Sequence, residues 1–179
     1  MTKQLDAQHQ IYFDEAGNTG AALLDLDQPT FTLASCNYQI DEAESLLVCV
    51  ASRQSPEIKF KSLKKSLAGQ NKLIKFFNQS ELLLSRVKLS EIHKKYMAIG
   101  KIVDTIIEPM VKEDGIDLYD KGQNIALSNL LYAVGPVFCP DQQFDSFINS
   151  FIAMLRENSV DTRTHFLTEG GKLFNACSN

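Results

Sequence analysis

The sequence contains no tryptophan, only four cysteines, and no hydrophobic run long enough to cross a bilayer. Cys36, Cys49, Cys139 and Cys177 are far apart and form no Cys-x-x-Cys pair. This spacing argues against a structural zinc site and against a disulfide-rich fold, since both need closely spaced cysteines. The segment 1–10 is polar and lacks the apolar stretch of a signal peptide. We therefore predict a cytoplasmic protein with no membrane contact.

Several catalytic signatures are also missing. There is no glycine-rich loop ending in Lys-Ser or Lys-Thr, no Gly-x-Ser-x-Gly turn and no His-Glu-x-x-His motif. The three histidines, His9, His93 and His165, are too dispersed to predict a metal site. We interpret His93 as an exposed residue where a strand meets a helix, with phosphate contact or proton transfer as the alternative.

The composition is that of an ordinary globular domain. With 179 residues, of which 44% are hydrophobic and 22% charged, the chain is long enough for one domain with a real core. We therefore predict a single domain over residues 1–179.

The charge is distributed unevenly along the chain. The net charge is −4, but Arg53 to Lys101 contains twelve basic and three acidic residues, a local charge of +9 that leaves −13 elsewhere. Such asymmetry is typical of a surface that meets phosphate, and equally of solvated helix faces, so both interpretations stay open. The candidate nucleic-acid-binding residues are Lys59, Lys61, Lys64, Lys65, Lys72 and Lys75.

Three phenylalanines lie among these lysines. Phe60, Phe76 and Phe77 are candidates for base stacking, but phenylalanines at such spacings are more often core residues. We therefore predict a packing role for them.

The first half of the chain predicts two strands followed by a helix. Residues 11–13 and 31–38 are rich in β-branched and aromatic residues and predict an antiparallel pair. Asp41 predicts the N-cap of a helix that ends near Ser52, with Glu44 as its capping-box partner.

The middle of the chain alternates between helix and strand signals. Residues 57–66 fit either an extended segment or a short helix, residues 71–78 a short helix, and residues 82–92 a strand. Apolar residues then recur at intervals of three and four from Tyr96 to Val111, which predicts a core helix.

The C-terminal part is predicted to be helical over residues 124–134 and 141–156, with Asp141 as the cap of the second helix. The tail, residues 168–179, shows no clear element. Strands that are followed by several helices predict a mixed α and β (α+β) fold.

The stretch Ile11 to Gly17, Ile-Tyr-Phe-Asp-Glu-Ala-Gly, places two carboxylates at the end of the first strand. Carboxylate oxygens are ligands that Mg²⁺ and Mn²⁺ prefer. Asp14 and Glu15 are therefore candidate metal ligands, although an acidic pair before Gly-Asn is also ordinary turn chemistry.

This stretch resembles the opening signature, hydrophobic-Asp-Glu-Ser-Gly, of the family numbered 3800 among the domains of unknown function. Ala16 stands where that family usually has serine, and Glu57-Ile58-Lys59 is similar to the family's Glu-Leu-Lys. The resemblance covers roughly the N-terminal half. It implies a ribonuclease H-like fold and metal-dependent nucleic-acid cleavage, with DNA or RNA as the partner.

The resemblance also implies a set of site residues. Asp14 and Glu57 would be catalytic, and Asp14, Glu15 and Glu57 would bind Mg²⁺ or Mn²⁺. Such chemistry needs further carboxylates, because two ions must hold the attacking water and the leaving oxygen. Asp104 is more typical of a solvated residue, and the family's late Gln-Leu-Ala-Asp motif is missing. The alternative is therefore a non-catalytic binding or regulatory module that keeps the fold.

A sheet of three predicted strands is small for a ribonuclease H-like fold. We therefore predict a shortened family member with an incomplete sheet, whose exposed edge can pair with a second copy to give a homo-oligomer.

Overall fold

The computed structural model describes residues 10–18, 20–51, 57–139 and 142–177. These residues form two compact units. Unit 1 contains the described residues of Met1–Glu15 and Leu33–Ser90, and unit 2 those of Ala16–Thr32 and Glu91–Asn179. The fold is mixed α and β, which confirms the predicted class at that level.

The strands are β1 (Tyr12–Ala16), β2 (Thr30–Cys36) and β3 (Val87–His93). They form an open antiparallel sheet in the order β1-β2-β3, and the division between the two units falls within each strand. Strand β3 begins later than predicted, because residues 84–86 form a turn.

Gly17 shows why the turn after β1 requires glycine. Its φ is +79°, in the left-handed region, and a Cβ atom at this position would overlap the carbonyl oxygen of Thr30. The glycine of the signature is therefore required by the close approach of the turn to the start of β2.

In unit 1, helix α1 spans Ile40–Leu47 and begins earlier than predicted. The N-cap is Gln39, whose backbone N–H donates to Oε2 of Glu42 at 2.8 Å. The predicted capping pair, Asp41 with Glu44, is therefore wrong: Asp41 lies in the first turn, and Glu42 takes the reciprocal role.

A short helix, α2 (Phe60–Leu63), is followed by α3 (Leu67–Phe77). The hydroxyl of Ser66 caps α3 by accepting from the backbone N–H of Gly69 at 3.1 Å. Gly69 is buried, and a Cβ atom there would overlap the carbonyl oxygen of Leu63. The turn between the helices therefore depends on this glycine, and the short-helix alternative for residues 57–66 is the correct one.

Unit 1 also contains a clamp around Arg86. Its guanidinium donates to both carboxylate oxygens of Glu42 at 2.8 and 2.7 Å and lies over the ring of Tyr38, 4.1 Å from its centroid. The buried Tyr38 hydroxyl donates to the carbonyl of Glu81 and accepts from the N–H of Leu83. These bonds fix the segment before β3 to α1.

In unit 2, helix α4 (Lys94–Ile102) passes into a π-helical turn (Val103–Ile107) and then into α5 (Glu108–Glu113). Pro109 explains the wide turn, because a proline has no N–H to donate and its ring clashes with the carbonyl four residues earlier in a regular α-helix. The predicted core helix is confirmed for the part that contains Ile99, Ile102 and Val103, which are buried, whereas Met110 near its end is 65% exposed.

The remaining helices are α6 (Gln123–Phe138), α7 (Gln143–Arg156) and α8 (Val160–Cys177). Buried side chains of α4, α7 and α8 form the main core, with Ile148 and Phe151 of α7 fully buried. The prediction that the tail lacks a clear element is wrong, since α8 occupies most of it. The predicted cap Asp141 lies outside the described residues. In the structure, Gln142 is the N-cap of α7.

No helix in the described part of the chain combines the length and the apolar character needed to cross a membrane.

Candidate nucleic-acid interface

Asp14 and Glu15 lie in β1, and all five residues of that strand are exposed. Because successive strand residues point to opposite faces, the two carboxylates leave the strand in different directions. Both side chains are accessible, but the strand alone does not bring them to one point.

Glu57, the second candidate catalytic residue, lies just before α2. Its Oε2 is 3.1 Å from Nζ of Lys59, and both side chains are well exposed. This contact is a surface ion pair, of a kind that contributes little to stability. It places Glu57 beside the lysines.

The two-ion site that the resemblance implies stays a prediction. Among the residues that the structure describes, no three or more His, Cys, Asp or Glu side chains are arranged to hold a metal ion. A two-ion site needs ligands from several elements that converge on ions about 4 Å apart.

Two further acidic residues have internal roles. Asp104 accepts a hydrogen bond from the Tyr119 hydroxyl at 2.9 Å, which raises the pKa of Tyr119. Glu169 is buried and accepts from Nζ of Lys172 at 2.6 Å. Both carboxylates therefore have partners in unit 2.

The basic stretch predicted from the sequence divides into two groups in the structure. In the later group Lys88 is exposed, whereas three residues make internal contacts: Arg86 with Glu42, Lys94 with the carbonyl of Gln28 at 2.6 Å, and Lys95 with Asp145 at 2.6 Å. The buried position of Lys94 makes its contact part of the fold of unit 2. These three residues do not offer a free charge to a ligand.

The earlier group lies on α2, α3 and the residues that flank them, which we call the basic helix pair (residues 59–77). Six lysines and no acidic residue occur between Lys59 and Lys75. On α2 and its C-terminal turn, Lys61 and Lys64 are three apart and Lys61 and Lys65 four apart, spacings that place side chains on one face. The helix pair therefore presents a group of like charges.

Most of these ammonium groups are available. Lys59, Lys61, Lys64, Lys65 and Lys75 are exposed. Within the described residues, Lys61, Lys65 and Lys75 have no ion-pair partner. Lys72 differs, because it is half-buried and its Nζ donates to the carbonyl of Ala51 at 3.2 Å. Lys72 is the weakest of the six candidates.

The phenylalanines of the basic helix pair correct the packing prediction. Phe76 is half-buried, but Phe60 and Phe77 are 58% and 61% exposed. Helix α2 buries none of its residues, and α3 buries only Gly69. The exposure of Phe60 could have been predicted from the sequence. The segment between Pro56 and the cap Ser66 is short enough for only one helical turn, and a single turn buries little surface.

His93 ends β3 and is the N-cap of α4. The predicted strand-to-helix position is confirmed, but the residue is half-buried rather than exposed. Its Nδ1 accepts from the N–H of Tyr96 at 3.4 Å, and its Nε2 is 3.3 Å from the Tyr132 hydroxyl. The ring therefore caps the helix.

Comparisons of the chain with known protein families, with curated proteins and with solved structures found no match.

Proposed function

We propose that this chain is a nucleic-acid-binding module that meets phosphates with its basic helix pair. The observation that carries the proposal is the exposure of five lysines on and beside α2 and α3, in a stretch with no acidic residue. A ribonuclease H-like fold with an incomplete sheet is also part of the proposal. It is supported by the signature of β1 and by an antiparallel sheet whose last strand runs directly into a core helix.

Phosphate binding follows from the charge of these side chains. Each ammonium group that approaches a phosphate releases condensed counterions, so the binding constant falls as the salt concentration rises. Contacts of this kind carry no sequence preference. We assign no phosphate contact to Arg86, because its guanidinium is paired with Glu42.

The test is the salt dependence of binding to labelled oligonucleotides, measured by fluorescence anisotropy. The double variant Lys64→Glu and Lys65→Glu should weaken binding on all sequences and reduce the slope of the logarithm of affinity against the logarithm of salt by about one to two. The matched control is Lys88→Glu with Lys121→Glu, which makes the same charge change at two exposed lysines outside the helix pair.

Two results would refute the proposal. One is the absence of binding at low salt. The other is an equal loss of affinity in both double variants, which would mean that only the net charge of the chain matters.

A second candidate function is metal-dependent phosphodiester cleavage. The observation that favours it is the accessibility of Asp14 and Glu15 on β1, directly before the turn that Gly17 fixes. A bound Mg²⁺ or Mn²⁺ would supply an activated water and neutralise phosphate charge. The test is a nuclease assay with each ion on single- and double-stranded substrates. If this function is present, Asp14→Asn should abolish cleavage without changing the far-UV circular dichroism. If the wild type does not cleave either substrate, the second candidate function is wrong and the binding function is the one that stands.

A further inference from the structure

The exposed rings of the basic helix pair have no role in phosphate binding. Phe60 and Phe77 are more than half exposed, and the aliphatic residues Leu67 and Ile74 of α3 are exposed as well. Leu67, Ile74 and Phe77 are seven and three residues apart, a spacing that places them along one side of α3, and contiguous exposed apolar surface marks interaction sites. A partner for this surface must therefore offer apolar contacts as well as negative charge.

We propose that the nucleic acid bound here is single-stranded, with bases stacked on Phe60 and Phe77 and phosphates held by the neighbouring lysines. This inference rests on the proposed function and adds the form of the nucleic acid. In a duplex the flat faces of the bases are covered by their neighbours, whereas a single strand exposes them to aromatic rings.

The contacts around each ring suit this role. Nζ of Lys64 lies over one face of the Phe60 ring, 5.8 Å from its centroid. A base would therefore stack on the opposite face, with this ammonium group close enough to hold the adjacent phosphate. The half-buried Phe76 packs edge-on against Phe77, with the ring centroids 5.2 Å apart. Phe77 is therefore supported from one side while it remains 61% exposed.

An anionic membrane is the competing partner, since it also combines charge with apolar contact. One feature favours nucleic acid. The chain contains no tryptophan, an aromatic residue in which helices of the membrane interface are rich.

The experiment compares a labelled oligothymidylate with a duplex of the same length at low salt. We expect the single strand to bind more tightly and Phe60→Ala or Phe77→Ala to weaken that binding about fivefold or more, the loss that follows from removing one stacking ring. The salt slope should not change, because the lysines are still present. Phe138→Ala, at a phenylalanine of α6 that is 70% exposed, is the matched control and should bind like the wild type.

Conservative variants separate stacking from simple apolar contact. Phe60→Tyr keeps a flat ring and should retain affinity, whereas Phe60→Leu keeps an apolar side chain and should lose it. Equal binding by the leucine variant overturns the stacking proposal. So does tighter binding to phosphatidylserine vesicles than to oligothymidylate, which would identify a membrane surface as the partner.

The failure of this inference differs from the failure of the proposed function. If the single strand and the duplex bind equally and the phenylalanine variants have no effect, the stacking proposal is wrong while phosphate binding by the lysines stands. If neither nucleic acid binds, both are wrong. Far-UV circular dichroism of every variant confirms that the helices are retained.

Discussion

The basic helix pair and the core helices of unit 2 are stabilised in different ways. Helix α7 buries five of its fourteen residues, whereas α2 buries none and α3 only a glycine. The unit 2 helices are stabilised by apolar packing, and the helix pair by a serine cap, a close turn and hydrogen bonds. A helix with few buried side chains keeps its lysines and aromatic rings exposed. The weak packing of the helix pair is therefore the reason why its surface is accessible to a ligand.

Among the changes that test this comparison, we expect the largest loss of stability in α7. Phe151 is fully buried in the core, so Phe151→Ala should lower the free energy of unfolding by about 3–5 kcal/mol through lost contacts and a cavity. Leu155→Ala, at an exposed residue of the same helix, should cost less than about 1 kcal/mol. Urea unfolding followed by circular dichroism measures both, and equal losses would break the comparison.

The second effect concerns the turn of the helix pair. Gly69→Ala forces a Cβ atom against the carbonyl of Leu63 and should destabilise α2 and α3 by about 1–3 kcal/mol, the usual cost of overpacking. We also expect weaker binding to nucleic acid, since the lysines of the two helices would no longer be held together. Amide hydrogen exchange in residues 60–77 reports the local loss.

Gly171→Ala provides the control for that change. Gly171 lies inside α8, and a Cβ atom there meets nothing within 4 Å. Alanine should therefore stabilise this helix by roughly 0.5–1 kcal/mol, because glycine is a poor helix former. If both alanine variants stabilise the protein, the helix pair has room at its turn and the argument from Gly69 fails.

The smallest effect is expected in acid, at the clamp of unit 1. Hydrogen bonds from the Arg86 guanidinium, and then from the Gln39 N–H, lower the pKa of Glu42 from 4.5 to about 2. Because the folded pKa lies below the unfolded one, this group contributes stability above pH 4.5 and loses it as the pH falls towards 2. The pair is exposed, so salt should weaken the effect further.

Titration of the Glu42 carboxyl by nuclear magnetic resonance measures the shift directly. Denaturant midpoints between pH 4.5 and 2 should fall more steeply in the wild type than in Glu42→Gln. An unshifted Glu42 would show that the clamp does not persist in solution.

The sequence predicted helices well where their apolar residues were periodic. The core helix from Tyr96 and the predicted helix over residues 141–156 are both present, because burial of an apolar stripe determines the helix whatever the other contacts are. Helix α8 was missed: its hydrophobic pattern is weak, and Gly170 and Gly171 interrupt its middle. Its packing against α7, with the rings of Phe147 and Phe166 stacked at 5.2 Å, offsets that poor propensity.

The candidate site was predictable in its chemistry and not in its geometry. The run of lysines was visible in the sequence, but their division into exposed and internally bonded groups was not, since Glu42 and Asp145 are far from Arg86 and Lys95 in the chain. In the same way, the signature around Asp14 and Glu15 predicted a metal site whose convergence depends on other elements. The metal ligands remain predictions.

By itself the sequence determined the mixed fold class and the uneven charge, since composition and local hydrophobic patterns suffice for these. The tertiary structure alone decided which charged side chains have internal partners and which phenylalanines are exposed. The physical reason is that burial and ion pairing depend on residues brought together from distant parts of the chain. Lys65 and Lys94 are the same residue type in the same basic stretch, yet Lys65 is exposed and Lys94 is buried in unit 2.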